Sequence, residues 1–220
     1  MGEDFEQLSR RVSQLRGPHD RRPLEVSDLD PDPFEQFAGW LEEALAAHPD
    51  WPNAMTLATA DARGRPSARM VLLKGIDESG FVFYTNKDSR KGRELDENPH
   101  AALLFYWPAL EQQVRVSGAV TLVPEAEADG YFATRPFDSK LGAWASRQSE
   151  PLESRAALEA EVERYRERFG DDMPRPPHWG GYRLIPTEFE FWRSQPDRLH
   201  DRFLYRRGPQ GTWTITRLHP

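Results

Sequence analysis

A run of strands joined by short turns, residues 55 to 95, constrains this chain more than any other stretch. SARMVLLK alternates apolar and other residues, and FVFYTN is rich in Val, Phe and Tyr; with MTLATA they read as half-buried strands. ARGRP and GIDESG lie between them and supply turn chemistry: glycine for positive φ, proline for a fixed φ, Asp and Ser for local side-chain bonds. The third strand hands over to a helix opening in KDSRKGREL, with Asp88 or Ser89 as its N-cap. Arg69 and Lys74 fall at the two ends of one strand, and Arg90 and Lys91 in the first helical turn. Cations there add to the positive end of the helix dipole instead of opposing it, so the place suits an anion, a phosphate above all. Solvated surface charge accounts for the same spacing.

The rest of the chain is strand-rich too. Phe5, Leu8, Val12 and Leu15 recur at helical spacing and predict a short amphipathic helix. RGPHDRRP and DLDPDP are polar and broken by proline, so residues 1–33 read as an N-terminal arm and 34–220 as one domain. In DPFEQFAGWLEEALAAH, Asp32 can cap a helix with Pro33 at N1, and Phe34, Phe37, Trp40, Leu41 and Leu45 form its apolar face. AALLFYW and QQVRVSGAVTLV read as strands, with Gly118 marking a bulge. PEAEADGYFATRP predicts a helix with Pro124 at N1, residues 138–149 a short helix or loop, and ESRAALEAEVERYRERFG a long helix closing on Gly170. PRPPHWGG reads as a loop and YRLIPTEFEFWR as a strand with Pro186 at an edge or bulge. RFLYRR and TWTITRL pair across GPQG as a hairpin. Without βαβ alternation, the expectation is a mainly β fold with helices: an antiparallel barrel with helices packed around it.

Composition removes several function classes. A formal charge of −7 argues against a general nucleic-acid binder, while local basic clusters on an acidic chain suit small anionic ligands. Cysteine is absent, which excludes a disulfide framework, a thiolate nucleophile and a zinc-thiolate site; the six histidines lack metal-ligand spacing. No 18-residue apolar run occurs and MGEDFEQLSRR has no apolar signal core, so a cytoplasmic protein without a membrane partner is expected. Dinucleotide, Walker and nucleophile-elbow motifs are all missing.

Two more cationic clusters stand out. FWRSQPDRLHDRFLY sets Arg198, His200 and Arg202 at alternate positions, which share one face if the segment is extended. Like charges ~5–7 Å apart repel unless an anion sits among them, although a solvent-facing edge paired with Asp197 and Asp201 is the alternative. In YFATRPFDS, Tyr131 and Arg135 lie at i and i+4 on one helix face, with Ser139 just beyond. A surface ion pair accounts for that arginine equally simply.

RMVLLK, YTN, SRKGREL, QVRVSG, YFATRP, GAWASRQS, EFWR and RLHDRFLY occur here in the order and spacing of one flavin-enzyme family. From about Asp28 to Leu218 the chain resembles the pyridoxamine 5′-phosphate oxidases. The resemblance implies a homodimeric split barrel with flavin mononucleotide (FMN) in each of two clefts between subunits. It implies FMN contacts from Arg69, Met70, Val71, Leu72, Leu73 and Lys74, and from Tyr84, Thr85, Arg90 and Lys91. Gln113, Gln148, Ser149, Trp192 and Arg202 complete that set. Lys74, Tyr131, Arg135 and Ser139 would hold the substrate phosphate, with Arg198, Leu199 and His200 toward the substrate and Arg198 and His200 at its reacting end. The implied reaction oxidises pyridoxine or pyridoxamine 5′-phosphate to pyridoxal 5′-phosphate and reduces dioxygen to hydrogen peroxide. Strict alternation sets Arg69 and Lys74 on opposite faces of their strand, which requires a bend or binding through backbone atoms. Arg16 matches the arginine of a segment that closes over the substrate as a lid, but His19 stands where the family has tyrosine. Phenazine-biosynthesis flavin oxidases share the fold and FMN site, and non-catalytic flavin- or haem-binding split barrels form a third possibility.

Overall fold

Among the described residues, nine strands form one antiparallel sheet in the order β2-β1-β5-β6-β7-β4-β3, with β8 on β7 and β9 on β8. They are β1 (Ala54–Ala60), β2 (Pro66–Leu72), β3 (Gly75–Asp77), β4 (Gly80–Asn86) and β5 (His100–Trp107). β6 (Gln112–Leu122), β7 (Trp179–Arg193), β8 (Asp201–Arg207) and β9 (Trp213–Arg217) follow. The structure, a computed structural model, describes residues 7, 12–14, 22–47, 50–170 and 172–220. The helix expected over Phe5 to Leu15 falls mostly outside these residues, as do Arg16 and His19; residues 12–14 are helical, with Val12 exposed.

The sheet curls on itself. Phe105 of β5 and Phe81 of β4 are three strands apart in the order, yet their rings are 6.2 Å apart. Phe189 of β7 closes on Phe81 at 5.7 Å, so the inward faces meet in one aromatic core. Helix α1 (Pro33–Ala46) covers that core and places Phe37 edge-on to both Phe81 and Phe105 at 4.9 Å. Each such side chain, buried completely, contributes about 1.5–3 kcal/mol. Asp32 caps the helix by accepting from the Phe34 N–H at 2.8 Å, with Pro33 at N1 as expected. The buried face turns further than the sequence suggests: Ala44 is buried and Leu45 is 53% exposed.

β7 makes the barrel a split one. From Tyr182 to Arg193 it pairs with β6, while its first half pairs with β4 and its second half with β8. Pro186 sits where the partners change, so it interrupts a central strand at a bulge and not an edge. The register shifts opposite, between Ser117 and Gly118. A Cβ at Gly118 would lie 1.9 Å from the Ile185 carbonyl oxygen, so the bulge needs glycine there.

Four helices fill the connections: α2 (Arg90–Glu97), α3 (Glu125–Ala133), α4 (Phe137–Ala145) and α5 (Arg155–Phe169). Pro124 is the N-cap of α3, one position before the expected N1, and residues 138–145 are helix and not loop. α5 closes on Gly170 as its spacing predicts. Upstream of α1, residues 22–32 are fastened to the C-terminal hairpin. Leu24 is buried and its N–H donates to Asp201 Oδ2 at 2.8 Å, and the Tyr205 hydroxyl donates to the Asp30 carbonyl at 2.7 Å. Among the described residues no helix is long and apolar enough to cross a membrane.

Candidate active site

β4 runs directly into α2, and the turn between them sets the first wall of a cavity of about 770 Å³. Ser89 caps α2, which leaves Arg90 and Lys91 in its first turn as expected. The Arg90 N–H donates to Ser149 Oγ at 3.1 Å, so the loop after α4 satisfies a helix N–H that has no partner within the helix. Lys91 is buried; its Nζ donates to Gln148 Oε1 at 2.8 Å and to Thr85 Oγ1 and Ser89 Oγ at 3.1 Å. Burial, then repulsion from Arg69, bring its pKa down to about 8 against the attraction of Glu94. Arg69 lies on β2 beside them. Its Nη1 donates to the Leu57 carbonyl and Thr59 Oγ1, and its Nη2 to Ser67 Oγ and Glu94 Oε2.

The second wall is aromatic. Tyr84, Tyr131 and Trp179 stack with their planes within 10°, Tyr84 lying 4.0 Å from Tyr131 and 5.3 Å from Trp179 between ring centres. Gly181 lets β7 come this close: a Cβ there would lie 2.6 Å from the Tyr84 ring. The Arg135 guanidinium lies 4.8 Å from the Trp179 ring centre. No carboxylate pairs with Arg135 among the described residues, and its Nη1 is buried without a hydrogen-bond partner. Burial works against its charge and lowers its pKa, only partly opposed by Tyr131. A desolvated guanidinium without a counter-ion is costly, and an anionic ligand removes the cost.

Most residues named from the sequence converge on this cavity. Arg69 to Leu72, Lys74, Tyr84, Thr85, Arg90, Lys91, Tyr131, Arg135, Ser139, Gln148 and Ser149 all line it. The problem of opposite faces disappears because β2 ends at Leu72; Lys74 stands in the following turn, its N–H on the Val82 carbonyl at 2.9 Å. Leu73 departs from expectation by facing the core at 6% exposure. Arg135 lies beyond the end of α3 and not on its face, and still reaches the cavity with Tyr131.

The C-terminal residues do not join the cavity within one chain. Gln113, Trp192 and Arg202 are register partners across β6, β7 and β8 and form a row on the outward face of the sheet. The Trp192 and His200 rings are 4.7 Å apart. The Gln195 N–H donates to His200 Nδ1 at 3.1 Å, which puts the proton of the neutral ring on Nε2. The expected shared face of Arg198, His200 and Arg202 is not formed. Asp197 and Arg198 both take positive φ, 56° and 63°, in a turn that leaves Arg198 and Leu199 exposed before β8 begins. Nor do Asp197 and Asp201 pair with these arginines: Asp201 binds Arg217, Gln195 and the Leu24 N–H, and Arg202 binds Glu190 at 2.9 Å.

Three residues at the cavity or beneath the candidate arginines escape sequence reading. Trp179 sits in the proline- and glycine-rich HWGG that reads as loop, but it opens β7. Glu94 and Glu190 are buried carboxylates that each gather two arginines, Arg69 with Arg90 and Arg202 with Arg115. For Glu190 a signal was available, a charge between two phenylalanines in FEF on the outward face of β7.

A family model described as pyridoxamine 5′-phosphate oxidase matches residues 41–169. The chain belongs to the pyridoxamine 5′-phosphate oxidase family. A second model, the pyridoxine 5′-phosphate oxidase C-terminal dimerisation region, matches residues 179–220, which hold Trp192, His200 and Arg202. The chain is 57% identical to a pyridoxine/pyridoxamine 5′-phosphate oxidase from Paraburkholderia phymatum over 95% of its length and 99% of the relative's. A pyridoxine/pyridoxamine 5′-phosphate oxidase from Ralstonia nicotianae is likewise 57% identical with the same coverage. Among solved structures, PhzG from Burkholderia lata, in complex with tetrahydrophenazine-1-carboxylic acid, superposes with a TM-score of 0.86 at 38% identity. That match covers 93% of this chain and all of PhzG. An FMN-binding protein from Nostoc punctiforme shares the fold, with a TM-score of 0.70 at 19% identity over 87% of this chain and all of its own. The architecture is the antiparallel split barrel of the oxidase family.

Pyridoxamine 5′-phosphate oxidases bind FMN, and the donors present fit it. Arg69, Arg90 and Lys91 surround a helix start suited to a terminal phosphate, and Gln148, Thr85 and Ser149 offer amide and hydroxyl groups beside them. A phosphate near Lys91 favours the ammonium form, so binding raises its pKa from about 8. The sign of the pH effect follows: the contribution of Lys91 to affinity is full and independent of pH below pH 8 and is lost above it, by at most about tenfold per pH unit. FMN titrations of the apoprotein from about pH 6.5 to about pH 9.5 are expected to trace that fall, and Lys91→Met to give weaker but flatter binding. A flat wild-type profile would remove Lys91 from the phosphate site.

Proposed function

We propose that this protein is an FMN-dependent oxidase that converts pyridoxine 5′-phosphate or pyridoxamine 5′-phosphate to pyridoxal 5′-phosphate. Dioxygen serves as the final acceptor and leaves as hydrogen peroxide. One observation carries the reading: a single cavity holds two separately anchored cationic groups, Arg69, Arg90 and Lys91 around Glu94 and Gln148, and Arg135 on the Tyr84–Tyr131–Trp179 stack. Two phosphates, one on the cofactor and one on the substrate, match that pair.

In this reading the flavin, when bound, supplies the redox chemistry by accepting a hydride from the C4′ carbon of the substrate. The chain supplies alignment. Arg135, Tyr131, Ser139 and Lys74 hold the substrate phosphate, and the backbone of Arg69 to Leu72 borders the flavin. Gln113, Trp192 and Arg202 reach the flavin, and Arg198, Leu199 and His200 the substrate, from the second copy of a homodimer. Support comes from the position of the row: outside its own cavity and facing outward, with Trp192 and Arg202 within the matched dimerisation region.

The alternative substrate class is a reduced phenazine precursor, suggested by the likeness to PhzG. Identity of 57% to the vitamin oxidases against 38% to PhzG favours the first reading. Aerobic turnover decides between them. Pyridoxine and pyridoxamine 5′-phosphates are expected to yield pyridoxal 5′-phosphate and hydrogen peroxide, and a dihydrophenazine carboxylic acid is expected to persist. Consumption of the phenazine alone would overturn the assignment.

A further inference from the structure

Glu94 lies one turn into α2 and is 5% exposed. It does not line the cavity, yet four cavity-wall and neighbouring side chains donate to it. Oε1 accepts from Arg90 Nε at 2.8 Å; Oε2 accepts from Arg69 Nη2 at 3.2 Å and from the hydroxyls of Thr59 and Ser67. Burial opposes its charge, but the bonds from Ser67, Thr59, Arg90 and Arg69 outweigh burial and bring its pKa down to about 2. It is therefore ionised throughout the working range of pH.

The two carboxylate oxygens thus divide two arginines between them. Arg69 spends both Nη groups on Leu57, Thr59, Ser67 and Glu94, which locks its plane and leaves Nε as its remaining donor among the described residues. Arg90 is held through Nε alone, which leaves its two Nη groups as donors. Its side chain is 61% exposed and has no other tether among the described residues, so it would otherwise sample many rotamers. Lys91 adds a third cation to the same wall, and three cations with no counter-ion repel one another.

We propose that Glu94 is the positioning residue of the flavin-phosphate end of the cavity, presetting Arg69 and Arg90 for a phosphate it never contacts. The inference rests on the FMN reading above and adds a residue to it. Pre-orienting flexible cations removes an ordering cost that binding otherwise carries.

A role through the phosphate cations has a signature that general support of the fold lacks: it affects FMN and spares riboflavin, which has the same ring and no phosphate. Apoprotein is titrated with each flavin, and binding is read from quenching of flavin fluorescence. Glu94→Ala is expected to weaken FMN binding by about 10- to 100-fold and to leave riboflavin within about twofold. Glu94→Gln keeps one acceptor oxygen and so one of the two arginines; it is expected to fall between, with FMN about three- to tenfold weaker and riboflavin unchanged. Equal losses for both flavins, or an unchanged FMN affinity, would overturn the proposal. Should Glu94→Ala fail to fold, the glutamine variant decides by the same comparison. Wild-type protein that binds riboflavin as tightly as FMN would overturn the phosphate site itself, a failure distinct from that of Glu94.

Discussion

Arg135→Ala and Arg202→Ala, each expected to be strongly impaired alone, are expected to recover about a quarter of wild-type activity when co-expressed as one dimer population. Arg135 lines the cavity, and Arg202 belongs to the outward row on β6, β7 and β8. A twofold dimer in which the row of one copy completes the cavity of the other joins the two residues only across the interface. In a mixed dimer, one site then combines both lesions and the other has none. Random pairing makes about half of the dimers mixed, so about one site in four is intact. Differently tagged copies allow the mixed dimer to be isolated, and it should show about half the wild-type rate. A mixed dimer as impaired as its parents would place both arginines in a site built by one chain.

Arg135→Ala by itself should lower kcat/KM for pyridoxine 5′-phosphate by about 30-fold or more, since truncating one partner of a buried charge pair costs about 2–5 kcal/mol. The yellow holoenzyme should persist, because Arg135 is held by Trp179 and Phe132 and not by the Glu94 network. Arg135→Lys should recover only part of the loss: it restores a charge but not a planar group stacked on indole. Steady-state kinetics with FMN occupancy measured in parallel separates the two roles. Loss of flavin as the main effect of Arg135→Ala would move this arginine to the cofactor.

The sequence revealed the cavity more fully than the shapes of the segments that build it. Arg90 and Lys91 were legible because a cap followed by two cations runs against the helix dipole, and Ser89 does cap α2. Periodicity located β7 and the final hairpin because alternation in FEFWR and RFLYRR survives folding. It failed at residues 197 and 198, where two residues in left-handed geometry turn the chain before β8; Asp197 is of a type that tolerates positive φ, but nothing in PDRLH announces it at Arg198. Trp179 stayed hidden because loop composition on one side masked a strand start on the other. Glu94 stayed hidden for another reason. Its neighbour Thr59 comes from β1 and Ser67 and Arg69 from β2, and only the register that pairs Thr59 with Ser67 brings them together.

The pairing of β4 with β7 also governs when this site can come into being. Tyr84 and Thr85 face Gly181 and Gly180, residues nearly a hundred positions downstream, and Trp179 pairs with Asn86. Closing so long a loop is slow compared with forming the neighbouring β1–β2 hairpin, because chain entropy is lost before any contact compensates. During synthesis the cations of α2 therefore emerge well before the aromatic wall that will enclose them. A growing chain has the charges of a flavin site without its walls, and cofactor capture becomes a late event that seals a finished barrel.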